Sequence, residues 1–155
     1  MDSMKKIRQT LKIISIIVVF LMFTSCLNNG GDSTFESLIK STSTELNKTN
    51  EIKLKQNIKF DYSKLYVFEG PRVPSEIKRI TKIEYNELLA DGDRLYLFVK
   101  NETIIKQEIS SCKDVNVHRL MNVQGYAILY PETRVFGKKQ KNGDDLYYDT
   151  FYKNN

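Results

Sequence analysis

The 155 residues contain no tryptophan, two cysteines, one histidine and three prolines. Two cysteines close at most one disulfide, so a cross-linked mini-protein scaffold is excluded and the fold must rest on its core. One histidine and two cysteines supply at most three of the four ligands of a structural zinc site. Long apolar runs are scarce. The longest, Ile13 to Phe23, is broken only by Ser15 and falls short of the roughly 20 residues of a spanning helix. Internal repeats are absent. No stripe of Lys and Arg alternates with aromatics, and the formal charge of +5 is concentrated at one end. Residues 1–25 hold four of the 24 Lys and Arg and one of the 19 Asp and Glu, leaving a net of only +2 on the rest. That excess is too small to specify nucleic acid or an anionic surface.

What the chain does have begins at its start. Lys5, Lys6, Arg8 and Lys12 precede the apolar run, and Phe23-Thr24-Ser25-Cys26 closes it. Charge, a short apolar segment and then small residues is the pattern of a secretory signal. With a cysteine at the end it resembles the signal and lipobox of a bacterial lipoprotein, although Phe23 stands where Leu is usual. The resemblance implies that residues 1–25 are removed. Cys26 then carries diacylglycerol on its sulfur, and the mature chain is anchored to a membrane of the cell envelope. At least two acyl chains give stable attachment, at ~0.8 kcal/mol per buried CH₂. Met4-Lys5-Lys6 also reads as a signal start. With Cys26 acylated, Cys112 has no partner within the chain.

Residues 26–34 are small and polar after Leu27 and read as a flexible tether of about 15 Å reach. Residues 35–155 suit a single domain. Ser33-Thr34-Phe35-Glu36 has capping-box spacing. Phe35, Leu38, Ile39 and Leu46 follow at helical intervals, predicting a helix over Thr34–Asn47. Glu51–Lys59 alternates as an edge strand. Leu65-Tyr66-Val67-Phe68 is a continuous run of β-formers, which requires cover on both faces. Gly70-Pro71 ends it. Ser75 is placed as the N-cap of a helix bearing Ile77 and Ile80, with a further turn over Tyr85–Leu89. Asp91-Gly92-Asp93 is a turn, Arg94–Lys100 the clearest strand, and Asn101-Glu102 a hairpin turn into Thr103–Ile109. Ser110–Val123 fits either a helix capped by Asp114 or a strand. Tyr126–Tyr130 is a strand. Arg134–Gln140 and Leu146–Tyr152 pair around Asn142-Gly143. The sum is an α+β fold, an antiparallel sheet with two or three helices packed on one face.

The segment Phe60-Asp61-Tyr62-Ser63-Lys64-Leu65-Tyr66-Val67-Phe68, followed by Gly70-Pro71, resembles a signature of small bacterial lipoproteins without an assigned activity. Their pattern is Phe-Asp-Trp-Asp, an apolar strand and Gly-Pro. Leu95-Tyr96-Leu97-Phe98-Val99-Lys100 and its hairpin match their next segment. Tyr130-Pro131-Glu132 and Val135-Phe136 match their C-terminal part loosely. Tyr62 replaces Trp, Ser63 replaces the second Asp, and Glu69 is inserted. The likeness implies fold and location and transfers no site.

Cys112 and His118 are the residue types of a thiol–imidazole pair, but nothing in their spacing brings them within hydrogen-bond reach. Asp91 with Asp93, and Asp144 with Asp145, lie beside Gly where turns favour Asp, and neither pattern is a calcium loop. Asp61 is read as a hydrogen-bond acceptor for backbone at the entrance of its strand. No catalytic residue, cofactor site or metal site is assigned. Tyr147, Tyr148, Phe151 and Tyr152 cluster on the last strand and are the candidate interaction face, because Tyr combines contact area with a polar tip. Half of them should face the core. The leading expectation is a non-enzymatic, membrane-anchored domain that binds an envelope or incoming protein, in one form an immunity or inhibitor protein. An envelope hydrolase using dispersed carboxylates and a structural subunit of an envelope complex are the alternatives.

Overall fold

The computed structural model describes residues 32–111 and 113–152. In chain order these form helix α1 (Thr34–Thr42), strand β1 (Thr49–Lys53), the single helical turn α2 (Leu54–Asn57), β2 (Lys64–Glu69), helix α3 (Pro74–Thr81), β3 (Arg94–Lys100) and β4 (Thr103–Ser110). The two-residue β5 (Val115–Asn116), a 3-10 turn (His118–Leu120), β6 (Tyr126–Leu129), β7 (Arg134–Asn142) and β8 (Asp145–Tyr152) follow. The fold is α+β, with the strands divided between two sheets rather than joined in one. Their orders are β4-β3-β2-β6 and β1-β7-β8-β5. Among the described strands, only β5 and β8 pair in parallel.

The apolar runs explain the layering. Leu65 and Val67 of β2 and Tyr96 and Phe98 of β3 point to the space between the sheets, where Phe35 and Ile39 of α1, Ile52, Leu129 and Val135 meet them. Tyr66, Phe68, Leu95, Leu97 and Val99 point the other way, onto Ile77 and Ile80 of α3 and onto Tyr85 and Leu89. The central strands are therefore covered on both faces, as their unbroken hydrophobicity requires. The helices consequently lie on opposite faces of this sheet, α1 within the inter-sheet core and α3 outside it.

Local chemistry sets most boundaries. The capping box is present, with Ser33 Oγ accepting from Glu36 N and Glu36 accepting from Ser33 N. α1 stops at Thr42, earlier than its apolar spacing suggests, within a run of Ser and Thr that compete for backbone hydrogen bonds. Leu46 is thereby left outside the helix and half exposed. The ordered domain reaches back past Phe35: Ser33 is buried and Thr34 N donates to Glu108 at 2.8 Å. α3 is capped by Val73 with Pro74 at its first position, not by Ser75, because proline fits where no backbone donor is needed. The turn expected over Tyr85–Leu89 is an extended strap pinned by reciprocal Arg72 and Leu89 hydrogen bonds at 3.0 Å. Asn101 and Glu102 both take positive φ, forming the predicted hairpin turn. The ambiguous stretch resolves into β5 and the 3-10 turn. Gly70 is required sterically, since a Cβ there would overlap the carbonyl of Ala90.

Candidate interaction surface

β7 pairs with β1 only as far as Lys138. Beyond it, β7 and β8 continue as a two-stranded arm, with a bridge from Leu46 to Lys139 at its base. The arm closes through Gly143, whose φ of 62° suits the tight turn. Paired residues point to the same side of a ladder. Leu46, Lys139 and Tyr148 therefore share one side, and Lys141 with Leu146 extends it toward the tip. Tyr148 packs partly against the inter-sheet core, with Lys139 Nζ 6.0 Å from its ring centre. Leu46 and Leu146 are 50% and 47% exposed. The side thus intersperses Leu46, Tyr148 and Leu146 with two lysines and is uncovered at its outer end.

The four aromatics expected to form one face are divided between two. Tyr148 and Tyr152 take the inner side, where Tyr152 pairs with the buried Val135 yet stays 37% exposed at the strand end. Tyr147 and Phe151 take the outer side. There Tyr147 donates to Gln140 Oε1 at 2.9 Å and Phe151 stacks on Phe136 at 6.2 Å. Arg119 lies 4.6 Å over the Phe151 ring while pairing with Asp149 at 3.0 Å. Period-two alternation makes this division unavoidable. Leu46 and Leu146 were not among the sequence candidates. Leu46 fits the helical spacing of α1, and only the early end of that helix frees it.

A second cluster joins the inter-sheet core to the surface. Glu36, fully buried, accepts from Tyr96 Oη at 2.7 Å and from Arg94 at 3.4 Å. Arg94 also bonds Glu69 at 3.3 Å and the Val115 carbonyl. Glu69 in turn meets His118 Nδ1 at 2.9 Å. Burial, and then the neighbouring Glu36 carboxylate, holds the Tyr96 hydroxyl well above its ordinary range, so it serves as a donor. The chain ties α1, β2, β3 and β5 together. His118 and Glu69 also reproduce the base-and-orienter half of a catalytic triad.

The remaining candidates are placed as follows. Asp91 opens a turn in which Gly92 has φ of 79°, and Asp144 and Asp145 sit at the tip of the arm. Asp61 pairs with Lys100 at 2.5 Å instead of with backbone. Cys26 and Cys112 lie outside the described residues. Among the described residues, no three His, Cys, Asp or Glu side chains converge as metal ligands, and no helix is long and apolar enough to cross a membrane. No protein-family model matches the chain, and no curated protein or solved structure is significantly similar to it.

Proposed function

We propose that this chain is a bacterial envelope lipoprotein, anchored through an acylated Cys26, whose domain recognises a protein partner without chemistry of its own. The observation that supports recognition is the arm: Leu46 and Leu146, each about half exposed, share one lysine-flanked side of a two-stranded projection. Exposed apolar residues grouped beside polar ones are the composition of an interface core and rim. An immunity or inhibitor role at the envelope is the specific form this reading takes.

A photo-reactive residue at position 146 tests it. In living cells it should yield one discrete adduct. A probe at position 123, where Val123 is fully exposed, should not, and Leu46→Lys should abolish the adduct. Identical adducts from both positions would refute recognition by the arm. Separately, Cys26→Ala should release the protein from the membrane fraction, and unchanged partitioning would refute lipid attachment. The His118–Glu69 pair favours a second reading, an envelope hydrolase. His118→Ala would then abolish turnover, whereas a binding domain keeps its adduct at position 146.

A further inference from the structure

Three exposed aliphatic side chains lie on the connections at one end of the β4-β3-β2-β6 sheet. That end is where β2 finishes and β3 begins, and Gly70 N donates to the Asp93 carbonyl there at 2.9 Å. Val73, 51% exposed, follows β2. Leu88, 67% exposed, stands on the strap that leads into β3, and Val123, fully exposed, precedes β6. Arg72 and Leu89 exchange backbone hydrogen bonds at 3.0 Å, which sets Val73 directly opposite Leu88 on one side of the pair. Leu89 turns into the outer core, so Val73 and Leu88 turn away from it. The Arg72 guanidinium donates to the carbonyls of Gln124 at 2.5 Å and Gly125 at 2.8 Å. It thereby holds the turn that carries Val123 at the same end.

The chain also enters the domain at this end. Glu36, in the first turn of α1, meets Arg94, the first residue of β3, at 3.4 Å. Lys40 Nζ pairs at 2.7 Å with both Asp32 and Asp114, so the first described residue is held beside the connection that leaves β4. Asp32 is six residues after Cys26, which is at most about 22 Å of chain. An acyl anchor at Cys26 therefore keeps this end of the sheet close to the bilayer. The Asn101-Glu102 turn is at the far end of β3, roughly 20 Å away. The exposed charges on the near connections are of both signs, Asp91 on the strap and Lys113 after β4, so attraction to anionic headgroups does not set the orientation. The groups with most to gain from the acyl boundary are the three aliphatic ones.

Resting on the acylated Cys26 proposed above, we propose that Val73, Leu88 and Val123 form a lipid-contact surface. The three side chains enter the boundary between headgroups and acyl chains and seat the domain with this end down. The acyl anchor supplies attachment, and the aliphatic residues supply orientation. The contact is apolar, so it forms on zwitterionic lipid.

The test uses the full chain, processed in its host and reconstituted into phosphatidylcholine vesicles that contain doxyl-labelled phosphatidylcholine. A dansyl-bearing amino acid is placed in turn at positions 73, 88, 123 and 102. Quenching by the doxyl lipid should be at least about threefold greater at the first three than at 102. Leu88→Asp should cut the quenching at 123 by about half and leave the melting temperature unchanged, because Leu88 is exposed. A protein that floats with the vesicles but is quenched equally at 88 and 102 overturns the lipid contact and leaves the anchor standing. Quenching at 123 that ignores Leu88→Asp also overturns it. A protein that fails to float overturns the acyl anchor, and the lipid contact with it.

Discussion

Glu36 offers the sharpest test of how the domain is held together. It is fully buried, carries half of the capping box at the start of α1, and is the acceptor for Tyr96 and Arg94. Truncation in Glu36→Ala removes a cap contribution of ~1 kcal/mol. It also removes charge-assisted hydrogen bonds of about 1.5–3 kcal/mol and takes away the carboxylate that accepts the Tyr96 hydroxyl proton. Arg94 keeps Glu69 and the Val115 carbonyl, which limits the loss. The expected cost is therefore about 3–5 kcal/mol, the range for breaking a buried ion pair and a large share of the 5–15 kcal/mol typical of a domain. Glu36→Gln retains an acceptor for Tyr96 and should cost only about 1–2 kcal/mol. Urea unfolding of a soluble form beginning at residue 27, followed by far-ultraviolet circular dichroism because the chain lacks tryptophan, gives both values. A double-mutant cycle with Tyr96→Phe should return a coupling of about 1 kcal/mol or more. A cost below about 1 kcal/mol for Glu36→Ala, or equal costs for Ala and Gln, would refute the assignment of this carboxylate as the link between α1 and β3.

Other expectations follow from packing and titration. Ile77→Ala, which empties the main contact of α3 on the outer core, should cost about 2–5 kcal/mol by denaturant unfolding. Gly70→Ala forces a Cβ against the Ala90 carbonyl and should cost about 1–3 kcal/mol by the same measurement. Burial, reinforced by Glu132 and Glu87 respectively, raises Tyr62 and Tyr85 from 10 to about 12. A raised folded-state value favours the protonated form, so this stability is full below pH 10 and declines as pH rises toward 12. The melting temperature should fall across that window, and less steeply in Tyr62→Phe. Parallel pH profiles for the two proteins would contradict it.

The readable parts of the fold were those settled within a few residues. The capping box Ser33–Glu36, the two-sided burial of Leu65–Phe68, the Asn101-Glu102 turn and the strand Arg94–Lys100 all follow from local propensity and side-chain period. A local signal misleads where it has a competitor. Leu46 shared the apolar spacing of α1, but the Ser and Thr residues before it ended the helix. Ser75 looked like a cap, but Pro74 is better suited to the first helical turn. In the stretch after Ser110, β5 is two residues long and pairs in parallel with β8, a contact that no short-range pattern announces.

The sequence alone determined the class of the domain, the order and type of its main strands and the features of its first 26 residues that resemble a lipoprotein signal. These depend on hydrophobic period, turn chemistry and residue type along a continuous stretch. Tertiary structure decided the rest. It divided the strands into two sheets and separated Tyr147 and Phe151 from Tyr148 and Tyr152. It placed Glu36 against Arg94 and Tyr96, 58 and 60 residues away, and laid Phe60-Asp61-Tyr62 beside Pro131-Glu132 with one buried hydroxyl unpaired. Each of these depends on which distant segments share the core, and on the charges and polar groups left over once the apolar faces are buried.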